Sequence, residues 1–145
     1  MVNLKDTIGF LQRVPLFQGL NPHQKELLAR RFVERDYKTD DKIVTQGKGG
    51  EGFFIIVAGH ANAFRTRSDG KEVQVNSFGP TDYFGELALL DEEGLRTASV
   101  VASEATKCVV LTRWDFLGLL KEDNDMAVSI LAEMARRFRM MLDTM

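Results

Sequence analysis

Along residues 3–14 the apolar side chains Leu4, Ile8, Leu11 and Val14, with Phe10 beside them, recur at helical spacing and predict a first helix stopped by Pro15. Pro15-Leu16-Phe17-Gln18-Gly19-Leu20 reads as a compact apolar turn. Asn21, Pro22 and Gln24 then supply the cap, first-position proline and capping partner of a second helix that turns Leu27, Leu28 and Phe32 to a core. Beyond Phe32 the pattern shortens to β-type runs separated by turn clusters, the spacing of a sandwich or barrel. Strands are predicted near 33–37, 42–45, 53–57, 61–67, 72–78, 97–102 and 106–112. Ala58-Gly59-His60 and Ser68-Asp69-Gly70-Lys71 are the clearest turns between them. Phe53-Phe54-Ile55-Ile56-Val57 is apolar on both faces and therefore predicted to be covered on both sides.

Helical texture returns at Arg113-Trp114-Asp115-Phe116-Leu117-Gly118-Leu119-Leu120, with Trp114 expected to anchor it on the barrel. In the last helix, from about Asn124, Met126, Ile130, Met134, Phe138 and Met141 form one stripe that Ala127, Leu131 and Leu142 widen. That is more apolar surface than one barrel covers, so the helix either packs on a partner helix in a dimer or closes over a ligand.

Composition narrows the class. The chain has 145 residues, enough for one domain that buries about two-thirds of its unfolded surface. With 19 basic and 21 acidic side chains, the net charge of −2 provides no global field toward nucleic acid or an anionic membrane, so neither is expected as a direct partner. Arg136, Arg137 and Arg139 read as a solvated basic face. Cys108 is the single cysteine and sits in an apolar run, as a buried core residue does. A secretory leader and a run of about eighteen apolar residues are both missing from the sequence, which points to the cytoplasm.

The candidate chemistry lies in residues 84–100, Phe-Gly-Glu-Leu-Ala-Leu-Leu-Asp-Glu-Glu-Gly-Leu-Arg-Thr-Ala-Ser-Val. Gly85 permits a close approach or a positive φ, and the helix formers after it predict a short helix whose leading N–H groups attract a phosphate. Glu86 can accept hydrogen bonds from a sugar hydroxyl, and Arg96, ten residues later, can grip a phosphate with its planar fork. On residue types alone, an ordinary exposed Glu86–Arg96 pair beside a turn, worth at most ~1 kcal/mol, fits equally well.

The segment closely resembles the phosphate-binding cassette of the cyclic nucleotide-binding domain family, Phe-Gly-Glu-Leu-Ala-Leu, a variable turn, then Arg-(Ala/Thr/Ser)-Ala-(Ser/Thr)-Val. The resemblance covers essentially the whole chain. It implies Glu86 for the ribose 2′-hydroxyl, Arg96 for the cyclic phosphate, backbone contacts from Gly85, Leu87 and Ala98, and a hydroxyl from Thr97. It also places Val75 and Asn76 against the sugar or base, although Val75 serves equally as a barrel-interior residue. Leu95 stands where many members carry proline, and the acidic turn is one residue longer than in kinase regulatory subunits, as it is in the bacterial activators. The architecture implied is a mainly β jelly-roll barrel with flanking helices: residues 1–32 helical, 33–112 the barrel, and 113–145 C-terminal helices, in a single domain over 1–145. In the family the equivalent of the last helix both dimerises and covers the base.

Two rival sites carry less. Gly47, Gly49, Gly50 and Gly52 match neither the P-loop nor the dinucleotide spacing, and a strand follows where those motifs need a helix. His23 and His60 show no metal-ligand spacing, so neither catalysis nor a cofactor is expected. The expected function is a regulatory sensor of a cyclic purine nucleotide, cAMP ahead of cGMP, which couples occupancy to movement of the C-terminal helix. The alternatives are a ligand-free dimerisation module, or the N-terminal sensor piece of a cAMP-dependent transcription regulator. Thr97 does not decide between the bases.

Overall fold

The computed structural model describes residues 2–48, 52–91 and 97–145. They fall into two compact units: Val33–Arg113 with Val2, and Asn3–Phe32 with Trp114–Met145.

The first unit is all β. Its strands are β1 (Val33–Tyr37), β2 (Lys42–Val44), β3 (Gly52–Ala58), β4 (Ala61–Thr66), β5 (Glu72–Phe78), β6 (Tyr83–Phe84), β7 (Ser99–Ala102) and β8 (Thr106–Thr112). They form two four-stranded antiparallel sheets, ordered β1-β8-β3-β6 and β2-β7-β4-β5, the interleaved pattern of a jelly roll. β3 is buried on both faces, with Phe53, Phe54, Ile55 and Ile56 all at most 1% exposed. Phe54 and Ile56 join Val44, Ala61, Ala63, Val100, Cys108 and Val110 in the core of the unit. Burial, with the nearby charge of Asp36 as a lesser cause, pushes the Cys108 thiol up to about 12, so it is an inert core group.

Strand β6 is absent from the sequence-based strand set. Two residues cannot display a period of two, and Tyr83 and Phe84 are held in place by pairing with Ile55 and Phe54. The Phe54 and Phe84 rings stack at 5.0 Å with an interplanar angle of 6°, and Phe84 lies 5.0 Å from Phe78.

Gly59 joins β3 to β4 at φ +96°, and a Cβ there would lie 2.4 Å from the Ala105 carbonyl oxygen and 2.5 Å from Thr106 Oγ1. Both strain and overlap therefore oppose any side chain. Gly59→Ala is expected to lower unfolding stability by about 2 kcal/mol or more in urea titration; an unchanged midpoint would show that the turn relaxes freely. The neighbouring His60 ring is held between Ser77 Oγ at 2.7 Å and Ser103 Oγ at 3.0 Å, which ties this turn to β5 and to the bend after β7.

The second unit is helical: α1 (Leu4–Leu11), a 3-10 turn at Pro15–Phe17, α2 (Pro22–Ala29), α3 (Arg113–Glu122, whose first residue belongs to the β unit) and α4 (Asn124–Asp143). Helix α1 ends three residues before the predicted limit at Val14, because a residue preceding proline is driven to extended backbone; Val14 has φ −94° and ψ 115°. The capping box of α2 is formed as expected, with Gln24 N to Asn21 Oδ1 at 2.8 Å and Asn21 N to Gln24 Oε1 at 2.9 Å. Phe17 meets Phe116 edge-on at 6.1 Å.

Trp114 corrects an expectation: its side chain is 81% exposed rather than buried as a packing anchor. In α4, Met126 and Ile130 are buried, whereas Leu131, Phe138, Met141 and Leu142 are each more than half exposed. Arg136 pairs with the buried Glu133 one turn away, so part of the predicted basic face is engaged within the helix.

Candidate functional site

The site begins where β6 ends. Gly85 takes φ +87° and ψ 16°, a left-handed conformation that turns the chain out of the strand. The residues after it, Glu86–Leu89, form the expected short helix as a single 3-10 turn. Ala88 N bonds to Gly85 O at 3.1 Å and Asp91 N to Leu87 O at 2.9 Å, which closes the turn before a further one can form. Buried Ala88 and Leu89 hold it down while Leu87 stays 63% exposed. Glu86 is half-buried, with its Oε2 shut off from solvent.

Beside this turn, within the β unit, lies a cavity of about 310 Å³. Gly85, Thr97, Ala98, Val75 and Asn76 all line it, so five residues singled out from the sequence come to one place from three separate stretches of chain. Glu86 and Leu87 are adjacent in sequence but are not among its lining residues. Arg96 lies outside the described residues. The floor is apolar and buried: Val44, Ala63 and Val100 are at most 9% exposed, and Phe78 and Phe84 add their rings. Val73, two residues before Val75, does not line the cavity and is 39% exposed.

Sequence reasoning missed one charged lining residue, Arg65, whose Nε donates to the Thr97 carbonyl at 3.2 Å. The available signal was the alternation Ala61, Ala63, Arg65, which puts all three on one face of β4. Asn76 Oδ1 accepts from Ser77 N at 2.8 Å. Among the described residues no cluster of three or more His, Cys, Asp or Glu could hold a metal ion. No described helix is long and apolar enough to cross a membrane.

A pocket of this size, apolar and buried at its floor and open at a polar edge, suits a small ligand with a flat apolar part and a polar part. Residues 34–123 match the family described as Cyclic nucleotide-binding domain. The chain belongs to the cyclic nucleotide-binding domain family. It is 38% identical over 125 residues to the "Cyclic AMP receptor protein" of Thermus thermophilus, covering 86% of this chain and 57% of that protein. It is also 38% identical over 112 residues to a "cAMP-dependent protein kinase regulatory subunit" of Aspergillus niger, covering 77% of this chain and 26% of that subunit. Among solved structures it resembles the N-terminal domain of a transcriptional regulator from Streptomyces coelicolor A3(2), with 31% identity and a TM-score of 0.86 over 94% of this chain and 96% of that one. The chain thus spans little more than half of the Thermus relative and about a quarter of the Aspergillus one. As a cyclic nucleotide-binding domain it is a regulatory, ligand-sensing module of a mainly β fold with flanking helices.

Proposed function

We propose that the cavity beside Gly85 binds cAMP and that the chain is the sensing part of a regulator. The observation that carries this reading is the convergence of Gly85, Thr97, Ala98, Val75 and Asn76 on one cavity in a chain whose family binds cyclic nucleotides. Glu86 takes the ribose 2′-hydroxyl, Arg96 the cyclic phosphate, and the backbone around Gly85, Leu87 and Ala98 completes the cradle. Val75 and Asn76 meet the sugar or base. The names of the Thermus and Aspergillus relatives favour cAMP over cGMP. The chain performs no catalysis in this reading, because recognition of an intact cyclic phosphate needs donors and no nucleophile.

Calorimetry tests it directly. Titration with cAMP is expected to give a saturable heat and a rise in melting temperature. Absence of both at millimolar ligand would overturn the reading.

The output travels through the chain that leaves the barrel, since α3 starts at the residue after β8 ends. A ligand biases such a transition only by its differential affinity for the two states, typically ~1–3 kcal/mol of coupling. The exposed Leu131, Phe138, Met141 and Leu142 of α4 make a partner helix from a second copy the natural cover for that face. Sedimentation is expected to give a dimer that Leu131→Glu converts to monomer. A wild-type monomer at all concentrations would remove the dimer from the mechanism.

A further inference from the structure

One cation in the cavity has no part in the cradle described above. Arg65 shares a face of β4 with Ala63, and both line the cavity. Ala63 is 4% exposed and lies at the floor, whereas Arg65 is exposed and lies at the mouth. The backbone on either side of Arg65 is fixed. Phe64 pairs in register with Ser99. Thr66 N donates to Gln46 Oε1 at 2.7 Å, and Gln46 Nε2 donates to Thr66 O at 3.2 Å. Gln46 N in turn donates to Ser99 Oγ at 2.9 Å.

The guanidinium is itself aimed by one bond, Nε to the Thr97 carbonyl at 3.2 Å. That bond uses one of the five N–H donors of an arginine. Among the described residues it is the group's one hydrogen bond, so the terminal N–H groups are donors to spare on a side chain that lines the cavity. Asn76 is the other polar side chain at this exposed edge apart from Thr97.

On the reading that the sugar and phosphate sit in the cradle around Gly85, the purine reaches the mouth. A 6-oxopurine offers two acceptors on one edge, O6 and N7, which an arginine fork can bond together. Adenine offers the N7 acceptor beside an N6 amino donor, so one arginine donor is left facing another donor. We propose that Arg65 reads the base, and that its spare donors let this cavity accept 6-oxopurine cyclic nucleotides alongside cAMP. Arg65 thereby widens the ligand range that the cassette alone leaves open.

The test compares cAMP, cGMP and cIMP by calorimetry on wild type, Arg65→Met and Arg65→Lys. The nucleotide cIMP keeps O6 and N7 but lacks the 2-amino group, so it separates the Arg65 contact from any bond to that amino group by the Thr97 hydroxyl. Arg65→Met removes the donors and is expected to weaken cGMP and cIMP about tenfold while cAMP changes less than about twofold, whereas Arg65→Lys, which still donates to O6 and N7, is expected to lose less. Equal weakening of all three in Arg65→Met would overturn the proposal and assign Arg65 to holding Thr97 or the phosphate. No change in any of them would overturn it as well. Failure of wild type to bind any of the three would instead count against the nucleotide site itself.

Discussion

Arg96→Ala is expected to weaken cAMP binding by at least ~2 kcal/mol, about thirtyfold, the largest effect on affinity of any single substitution in the proposed site. The physical reason is the phosphate. An arginine fork gives two parallel charge-assisted bonds, and its removal takes both from the phosphate. Arg96→Lys restores the charge without the fork and is expected to fall between the two. Calorimetric titration of the purified variants decides it, with circular dichroism confirming that each is folded. Wild-type affinity in Arg96→Ala would show that the phosphate is held elsewhere.

Phe54→Ala is expected to cost the fold about 3–5 kcal/mol, the range for truncating a buried aromatic ring. Phe54 is 1% exposed, paired in register with Val110 on one side and Phe84 on the other, and its ring stacks on Phe84 at 5.0 Å. Against a total stability of roughly 5–15 kcal/mol for a domain of ordinary size, this is a large fraction. Because Phe84 and Phe78 line the cavity, the same change removes the support beneath the site. Phe54→Leu keeps most of the apolar volume and is expected to lose far less. Urea denaturation measures both, and a loss below about 1 kcal/mol in Phe54→Ala would show that the core closes over the gap.

The two predictions draw on different levels of the molecule. Arg96 was singled out by the resemblance of residues 84–100 to the family's cassette, since on residue types alone an exposed pair with Glu86 fits equally well. Its own placement lies outside the described residues, so the tertiary structure adds its neighbours: Thr97 and Ala98 at the cavity and Gly85 across from them. Phe54 was legible only as part of an apolar run. That its ring stacks on Phe84, thirty residues on, depends on the pairing of β3 with β6.

By itself the sequence determined the features that depend on near neighbours. The Asn21–Gln24 capping box, the glycine turn at Gly59, the left-handed Gly85 and most strand positions follow from backbone conformational preference and short-range hydrogen bonding. The tertiary structure decided what depends on distant chain. Two-residue β6 exists because β3 pairs with it, the Glu86–Leu89 turn remains a single 3-10 turn pinned by Ala88 and Leu89, and Trp114 stands in solvent despite its size. Above all, Arg65 reaches the cavity through the register of β4 with β7 and a bond to Thr97, thirty-two residues away. Local order along a chain fixes which groups are available; only the closed sheet fixes which of them face one another.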